Sequence, residues 1–168
     1  MMRLLALDPG VTTGWASIDI PDVSKDVDLT QAVGVGQLGP HDHHSELYAM
    51  MELMQTSDFV LITERFEYRN KSRAGLQLES REYIGVAKMF YQERMRGLGQ
   101  QAVFQNASQA KGFVEDRHIK ALGLWSPGMK HAMDALRHLI YFVANDKTMR
   151  PVRLQMQILT TAYRTGNK

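Results

Sequence analysis

The chain has 168 residues, 44% of them hydrophobic, which suits a single domain with its own core. It has no cysteine, which excludes disulfides, thiolate metal sites and cysteine nucleophiles and sets the expectation of a reducing, cytoplasmic setting. The net charge of +2 is too small to announce a polyanionic partner by itself.

No apolar run reaches the roughly 18 residues that a membrane span needs, and the start of the chain shows no signal-peptide pattern. Charge is unevenly spread. Residues 65–73 hold Arg65, Arg69, Lys71 and Arg73 against Glu67, with Phe66 and Tyr68 interleaved. The segment from Asn145 holds Lys147, Arg150, Arg153, Arg164 and Lys168 against Asp146. Such patches suit nucleic acid or are plain solvated surface. Phe66 and Tyr68 either stack on bases or pack the loop on the domain.

In chain order, residues 3–7 read as a buried strand ending at Asp8, and Pro9-Gly10 turns into a second strand from Gly14 to Ile20. Gln31 to Leu38 alternates as a third strand. Asp42 is placed to cap a helix to Gln55, with Leu47, Met50, Met51 and Met54 on its core face. Phe59 to Thr63 is a short continuous apolar run, the pattern of a central strand covered on both faces, and it ends at Glu64. A long helix is predicted over 76–95, stopping at Gly97 or Gly99, with Leu78, Tyr83, Val86, Met89 and Phe90 in its apolar positions. A fifth strand spans 101–105, and short helices begin at Ser108 and Glu115. Ser126-Pro127-Gly128 breaks the chain before a last helix over 129–144. The order βββαβαβα predicts a mixed sheet with helices on its faces. Residues 1–144 read as one domain and 145–168 as a basic appendage.

A carboxylate at the end of a buried strand is costly unless a cation holds it. Asp8 and Glu64 both end such strands. If the strands are parallel neighbours, both acids emerge at one edge of the sheet. On the last helix, His131, Asp134 and His138 share one stripe, while Ala132, Leu136, Leu139 and Val143 form the opposing apolar face. Asp8, Glu64, His131 and Asp134 together suit Mg²⁺ or Mn²⁺. Two such ions about 4 Å apart can clamp the attacking water and the leaving oxygen of a phosphodiester displacement. His138 is read as structural, since the ligand set is complete without it.

Taken in order, Leu7-Asp8-Pro9-Gly10 with Thr13-Gly14-Trp15-Ala16, Ile62-Thr63-Glu64, Asn106-Ala107-Ser108-Gln109-Ala110-Lys111 and His131-Ala132-Met133-Asp134-Ala135-Leu136 resemble the RNase H-like superfamily. Within it they resemble the RuvC family of Holliday-junction resolvases, and the short chain resembles the divergent bacteriophage members. The resemblance runs from residue 2 to residue 144. It implies an α/β, RNase H-like fold: a mixed five-stranded sheet, an antiparallel three-stranded meander plus parallel strands, flanked by helices. It also implies a homodimeric, two-metal endonuclease for branched DNA, using Mg²⁺ with Mn²⁺ as substitute, in a bacterial or phage-infected cytoplasm.

By this resemblance Asp8 would bridge the metals, Glu64 would complete their cage and Asp134 would hold one ion. His131 would be a ligand or water-orienting base, and Lys111 would meet the phosphate near the scissile bond. Arg65, Phe66, Tyr68, Arg69, Lys71 and Arg73 would bind DNA. The family often has an aromatic wedge three residues after its second acid; here that position is Glu67, between Phe66 and Tyr68. The residues after Lys111 also depart from the family's Gly-rich basic stretch. The helix over 76–95 is the expected dimer surface.

Two patterns point elsewhere and are set aside. Gly34-Val35-Gly36-Gln37-Leu38-Gly39 matches the dinucleotide fingerprint, but its glycines lie inside a strand and Pro40 follows. His41-Asp42-His43-His44 cannot easily converge on one ion from a loop–helix junction. The rival functions are an RNase H-like nuclease for RNA, flaps or forks, a non-catalytic junction binder, and an actin-like ATPase, which needs about twice this length.

Overall fold

The computed structural model describes residues 1–21, 33–39, 44–65 and 74–147, without the side chains of 74–79. Phe66, Tyr68, Arg69, Lys71 and Arg73, the histidines 41 and 43, and the appendage beyond Lys147 lie outside the described residues.

The strands are β1 (Met2–Asp8), β2 (Thr13–Ile20), β3 (Val33–Leu38), β4 (Asp58–Glu64) and β5 (Gln101–Gln105). The helices are α1 (His44–Met54), α2 (Ala74–Phe90), α3 (Ala107–Phe113), α4 (Asp116–Ala121) and α5 (Lys130–Asn145). One five-stranded sheet runs in the order β3-β2-β1-β4-β5. The pairs β1–β2 and β2–β3 are antiparallel, and β1–β4 and β4–β5 are parallel. This is the expected meander plus parallel strands. Among the described residues no helix is long and apolar enough to cross a membrane.

The sheet has two covered faces, and strand alternation assigns each side chain to one of them. Leu4, Ala6, Val60 and Ile62 pack with α5, while Leu5, Leu7, Phe59 and Leu61 pack with α1 and α2. By the same alternation Asp8 and Glu64 continue the α5 face. Leu7 pairs with Thr63 across β1–β4, and Glu64 pairs with Gln105 across β4–β5. The two acids and Gln105 therefore stand side by side at the carboxyl ends of three parallel strands.

Two expectations about helices need correcting. The helix after β4 does not continue regularly to Met95: it passes through a π turn over Tyr91–Met95 and a 3₁₀ turn over Arg96–Leu98, and Gly99 ends it at φ 70°. Its proposed dimer face is also largely committed within the chain. Val86 and Phe90 are buried against Leu5, Leu7 and Leu61, and of the named residues with described side chains only Met89 is strongly exposed. In α5 the polar stripe is itself largely covered: Val114, Ile119 and Leu122, from outside the sheet, share one buried cluster with Ala132, Leu136, Leu139 and Val143. Every residue from Ala132 to Ile140 is buried, polar members included.

Candidate active site

Three elements bring the site together, and glycine sets the closest approach. Gly14, opposite Asp8 in β2, lies under the first turn of α5. A Cβ there would stand 2.0 Å from the carbonyl carbon and oxygen of His131. From β3, the Gln37 Oε1 accepts the backbone N–H of His131 at 2.9 Å and of Ala132 at 3.3 Å. That satisfies two donors of the helix start, a duty usually met by a local cap. The turn carrying Asp8 is fixed by Thr13, whose Oγ1 donates to the Gly10 carbonyl at 2.9 Å.

His131 thereby faces Asp8. Its Nδ1 lies 2.8 Å from Asp8 Oδ2. Asp8 is only 7% exposed, so the contact forms in a poorly solvated place. The hydrogen bond to Asp8 raises the His131 pKa, against the opposing effect of burial.

Asp134 is held by two cations. Lys111 Nζ, from α3, lies 2.9 Å from Oδ2, and Arg137 Nη1 lies 2.5 Å from Oδ1. Arg137 also donates to the Val114 carbonyl at 3.1 Å and pairs with Asp116. Burial pulls the Lys111 pKa down, but the Asp134 hydrogen bond and the charges of Asp134, Asp8 and Glu64 raise it overall. Lys111 thus sits in the field of all three carboxylates.

His138 is fully buried one turn further along α5. Its Nδ1 is 2.9 Å from Gln105 Oε1, and its Nε2 is 3.9 Å from Glu64 Oε2. That Nε2 has no hydrogen-bond partner. Burial drives the His138 pKa down to about 4; Asp8 and Asp134 oppose the shift and Lys111 adds to it.

The sequence-derived residues therefore meet in pairs: Asp8 with His131, Glu64 beside His138, Asp134 with Lys111. Among the described residues no three His, Asp or Glu side chains converge on one point. The donors do fit a hard divalent cation in kind: carboxylate oxygens and imidazole nitrogen, one of these a buried atom without a partner. Arg65, the first of the expected DNA-binding residues, is exposed beyond Glu64, and its N–H donates to the Gln105 carbonyl at 2.6 Å. It lines a cavity of ≈ 230 Å³ with Ile84, Lys88 and Phe104. On the other side, a cleft of ≈ 670 Å³ opens at Lys111 and Asp134 and extends to Trp125 and Lys130.

The fold has solved counterparts. Thermus thermophilus RuvC in complex with Holliday junction substrate superposes with a TM-score of 0.54 at 14% identity, over 84% of this chain and 92% of that one. A second Thermus thermophilus RuvC structure gives 0.53 at 16% identity, over 84% and 95%. The chain has the RuvC fold. No protein-family model and no curated protein sequence matches it. On the RuvC fold, the acids expected from the strand-end pattern fall at one edge of an RNase H-like sheet.

Three participating residues escaped the sequence reading. Arg137 was detectable, lying three positions after Asp134 on the same helix. Gln105 follows from pairing β5 parallel to β4. Gln37 carries no local signal, since its partner is 94 residues away.

Proposed function

We propose that this chain is a divalent-metal-dependent endonuclease for branched DNA, with the four-way junction as its substrate. The observation that carries this reading is Asp8: a carboxylate 7% exposed at the end of a central strand, level with Glu64 and facing His131. A fold alone does not imply an activity, so the weight rests on this chemistry. One RuvC neighbour of the same fold is complexed with a Holliday junction substrate, which supports the choice of DNA.

In this reading the carboxylates of Asp8, Glu64 and Asp134 would hold Mg²⁺, two ions with Mn²⁺ as substitute, and His131 would be the water-orienting base. When bound, the ions would activate that water and neutralise charge on the phosphate. Asp8 accepts a hydrogen bond from the Nδ1–H of His131 and stabilises its cationic form, so the other ring nitrogen can take up a proton during the reaction. Lys111 brings a positive charge to the scissile phosphate, and leaving Asp134 for that phosphate frees the carboxylate for metal. Arg137 keeps Asp134 oriented meanwhile.

The cleft from Asp134 to Lys130 and Trp125 supports a path for the strand leaving the site. Arg65, Phe66, Tyr68, Arg69, Lys71 and Arg73 are the proposed DNA-contacting residues. Symmetric paired cuts need two sites, so the working unit is a homodimer. Residues 1–144 are the nuclease domain and 145–168 a basic appendage, as in a bacteriophage-type resolvase acting in recombination and repair.

The test compares four-way DNA, flap DNA, RNA–DNA hybrid and linear duplex in Mg²⁺, with the wild type and Asp8→Asn. The wild type should cut the four-way junction fastest, and Asp8→Asn should bind it without cutting. Cleavage by Asp8→Asn at the wild-type rate would overturn the reading. A preference for the hybrid would reassign the chain to an RNA-directed nuclease of the same fold.

A further inference from the structure

The fully buried His138 has no role in the chemistry above, yet its surroundings are specific. Gln105 Oε1 can only accept a hydrogen bond, so the 2.9 Å contact places the His138 proton on Nδ1. The Nε2 lone pair then points, without a partner, at a carboxylate oxygen of Glu64 3.9 Å away. A fully buried imidazole lone pair facing a carboxylate oxygen is stabilised by a cation between the two atoms. A histidine whose one ring N–H is donated to a carbonyl, leaving the other nitrogen bare, is held in the manner of a metal ligand.

The spacing agrees. Two donors each about 2.1 Å from a shared ion can stand up to about 4.2 Å apart. Glu64 is 27% exposed and gives the ion a route from solvent, while Asp8 and Asp134 add negative field at the imidazole, opposed in part by Lys111. Sites of this kind commonly use one or two protein donors and complete the shell with water.

We infer that His138 Nε2 and Glu64 together form a divalent-cation position in which the imidazole is a direct ligand. Nitrogen ligation favours Mn²⁺ over Mg²⁺. The inference rests on the metal-dependent reading of this site. It differs from the sequence expectation, which gave the nitrogen donor to His131 and treated His138 as structural.

The experiment uses the full chain and Mn²⁺ or Mg²⁺ alone, without DNA. Calorimetry gives the affinities, and pulsed EPR of the Mn²⁺-loaded protein detects ligand nitrogen. The wild type should bind Mn²⁺ more tightly than Mg²⁺. The nitrogen coupling should persist in His131→Gln and vanish in His138→Gln, which should also lose at least about tenfold in Mn²⁺ affinity and most of its selectivity over Mg²⁺. Unchanged Mn²⁺ affinity or a retained nitrogen signal in His138→Gln overturns the inference. Should His138→Gln fail to fold, His131→Gln decides alone: nitrogen present supports His138, nitrogen absent overturns it. A wild type that cuts junctions but shows no His138 nitrogen overturns this inference and leaves the nuclease standing. A chain that binds neither ion overturns both.

Discussion

Gly14 in β2 and His131 at the start of α5 touch backbone to backbone: a Cβ on Gly14 would lie 2.0 Å from the His131 carbonyl and 2.5 Å from the Ala132 nitrogen. These are backbone atoms, not the end of a flexible side chain, so a methyl group there forces the helix off the sheet. Since α5 carries His131, Asp134 and His138, Gly14→Ala should both destabilise the fold and misplace the site. We expect a loss of about 3 kcal/mol or more, at the upper end for overpacking. DNA cleavage should fall further than the fraction folded explains. Gly112→Ala is the control: it has open space around the new methyl group and should be neutral or stabilising by up to about 1 kcal/mol. Thermal melts and junction cleavage of both variants check this. Equal behaviour of the two would refute the packing argument.

Gln37 should act as a remote cap. Its Oε1 takes two N–H groups of the first turn of α5, at 2.9 and 3.3 Å. Gln37→Leu removes the acceptor while keeping the bulk. The expected cost is about 1 kcal/mol, the usual size for a lost helix cap. Cleavage should drop through a displaced His131, and chemical denaturation alongside a pH–rate profile separates the two effects. A pH profile identical to the wild type would show that Gln37 serves stability alone.

The sheet was legible because its strands carry their own punctuation. Pro21 follows β2, Gly39 follows β3, and Asp8 and Glu64 mark the ends of the two central strands. Helix α5 was legible in extent but not in setting. The stripe of His131, Asp134 and His138 can be read in a helical projection; only the burial of Val114 and Leu122 in the same cluster shows how fully the helix is covered. The glycine pattern at 34–39 has a tertiary cause. Gly36 lies under the Trp15 ring, where a Cβ would come within 2.5 Å of it. Gln105 and Gln37 act across 33 and 94 residues of sequence, a range that local patterns do not reach, whereas Arg137 sits within one turn of Asp134.

Arg137 should prove structurally indispensable although it is not one of the proposed ligands. Its side chain is 11% exposed and binds Asp134, Asp116 and the Val114 carbonyl together. Arg137→Met leaves Asp134 buried with one cation fewer, and breaking a buried pair costs roughly 3–5 kcal/mol. Arg137→Lys should recover only part of this, because an ammonium cannot span the fork of contacts that a guanidinium makes. Full stability in Arg137→Lys, measured by denaturant unfolding, would mean that charge alone matters here.

Lys130 should report on DNA contact without disturbing the fold. It is exposed at the rim of the cleft beside Asp134, with no ion pair or hydrogen bond among the described residues. If it meets a phosphate, Lys130→Gln should weaken binding to all junction sequences alike and reduce the salt slope by about one. The melting temperature should not change. An unaltered salt slope in a titration of junction binding would place the DNA elsewhere.

His138 gives the stability a defined acid limit. Its pKa is about 4 in the folded protein, against an ordinary value of 6.5, because burial opposes the charged form. The folded state therefore binds fewer protons than the unfolded state between these values. The contribution of the neutral imidazole is fully present above pH 6.5 and is lost progressively as pH falls toward about 4. Over that window the loss should reach about 3 kcal/mol. His138→Gln cannot take up the proton, so its stability should fall much less between these limits, although it starts from a lower value. Denaturant unfolding from pH 7.5 to pH 4, with chelator present so that no divalent ion competes for the nitrogen, measures the difference. Parallel pH curves for the two proteins would show that His138 is already charged in the native state, and that the lone pair facing Glu64 does not exist.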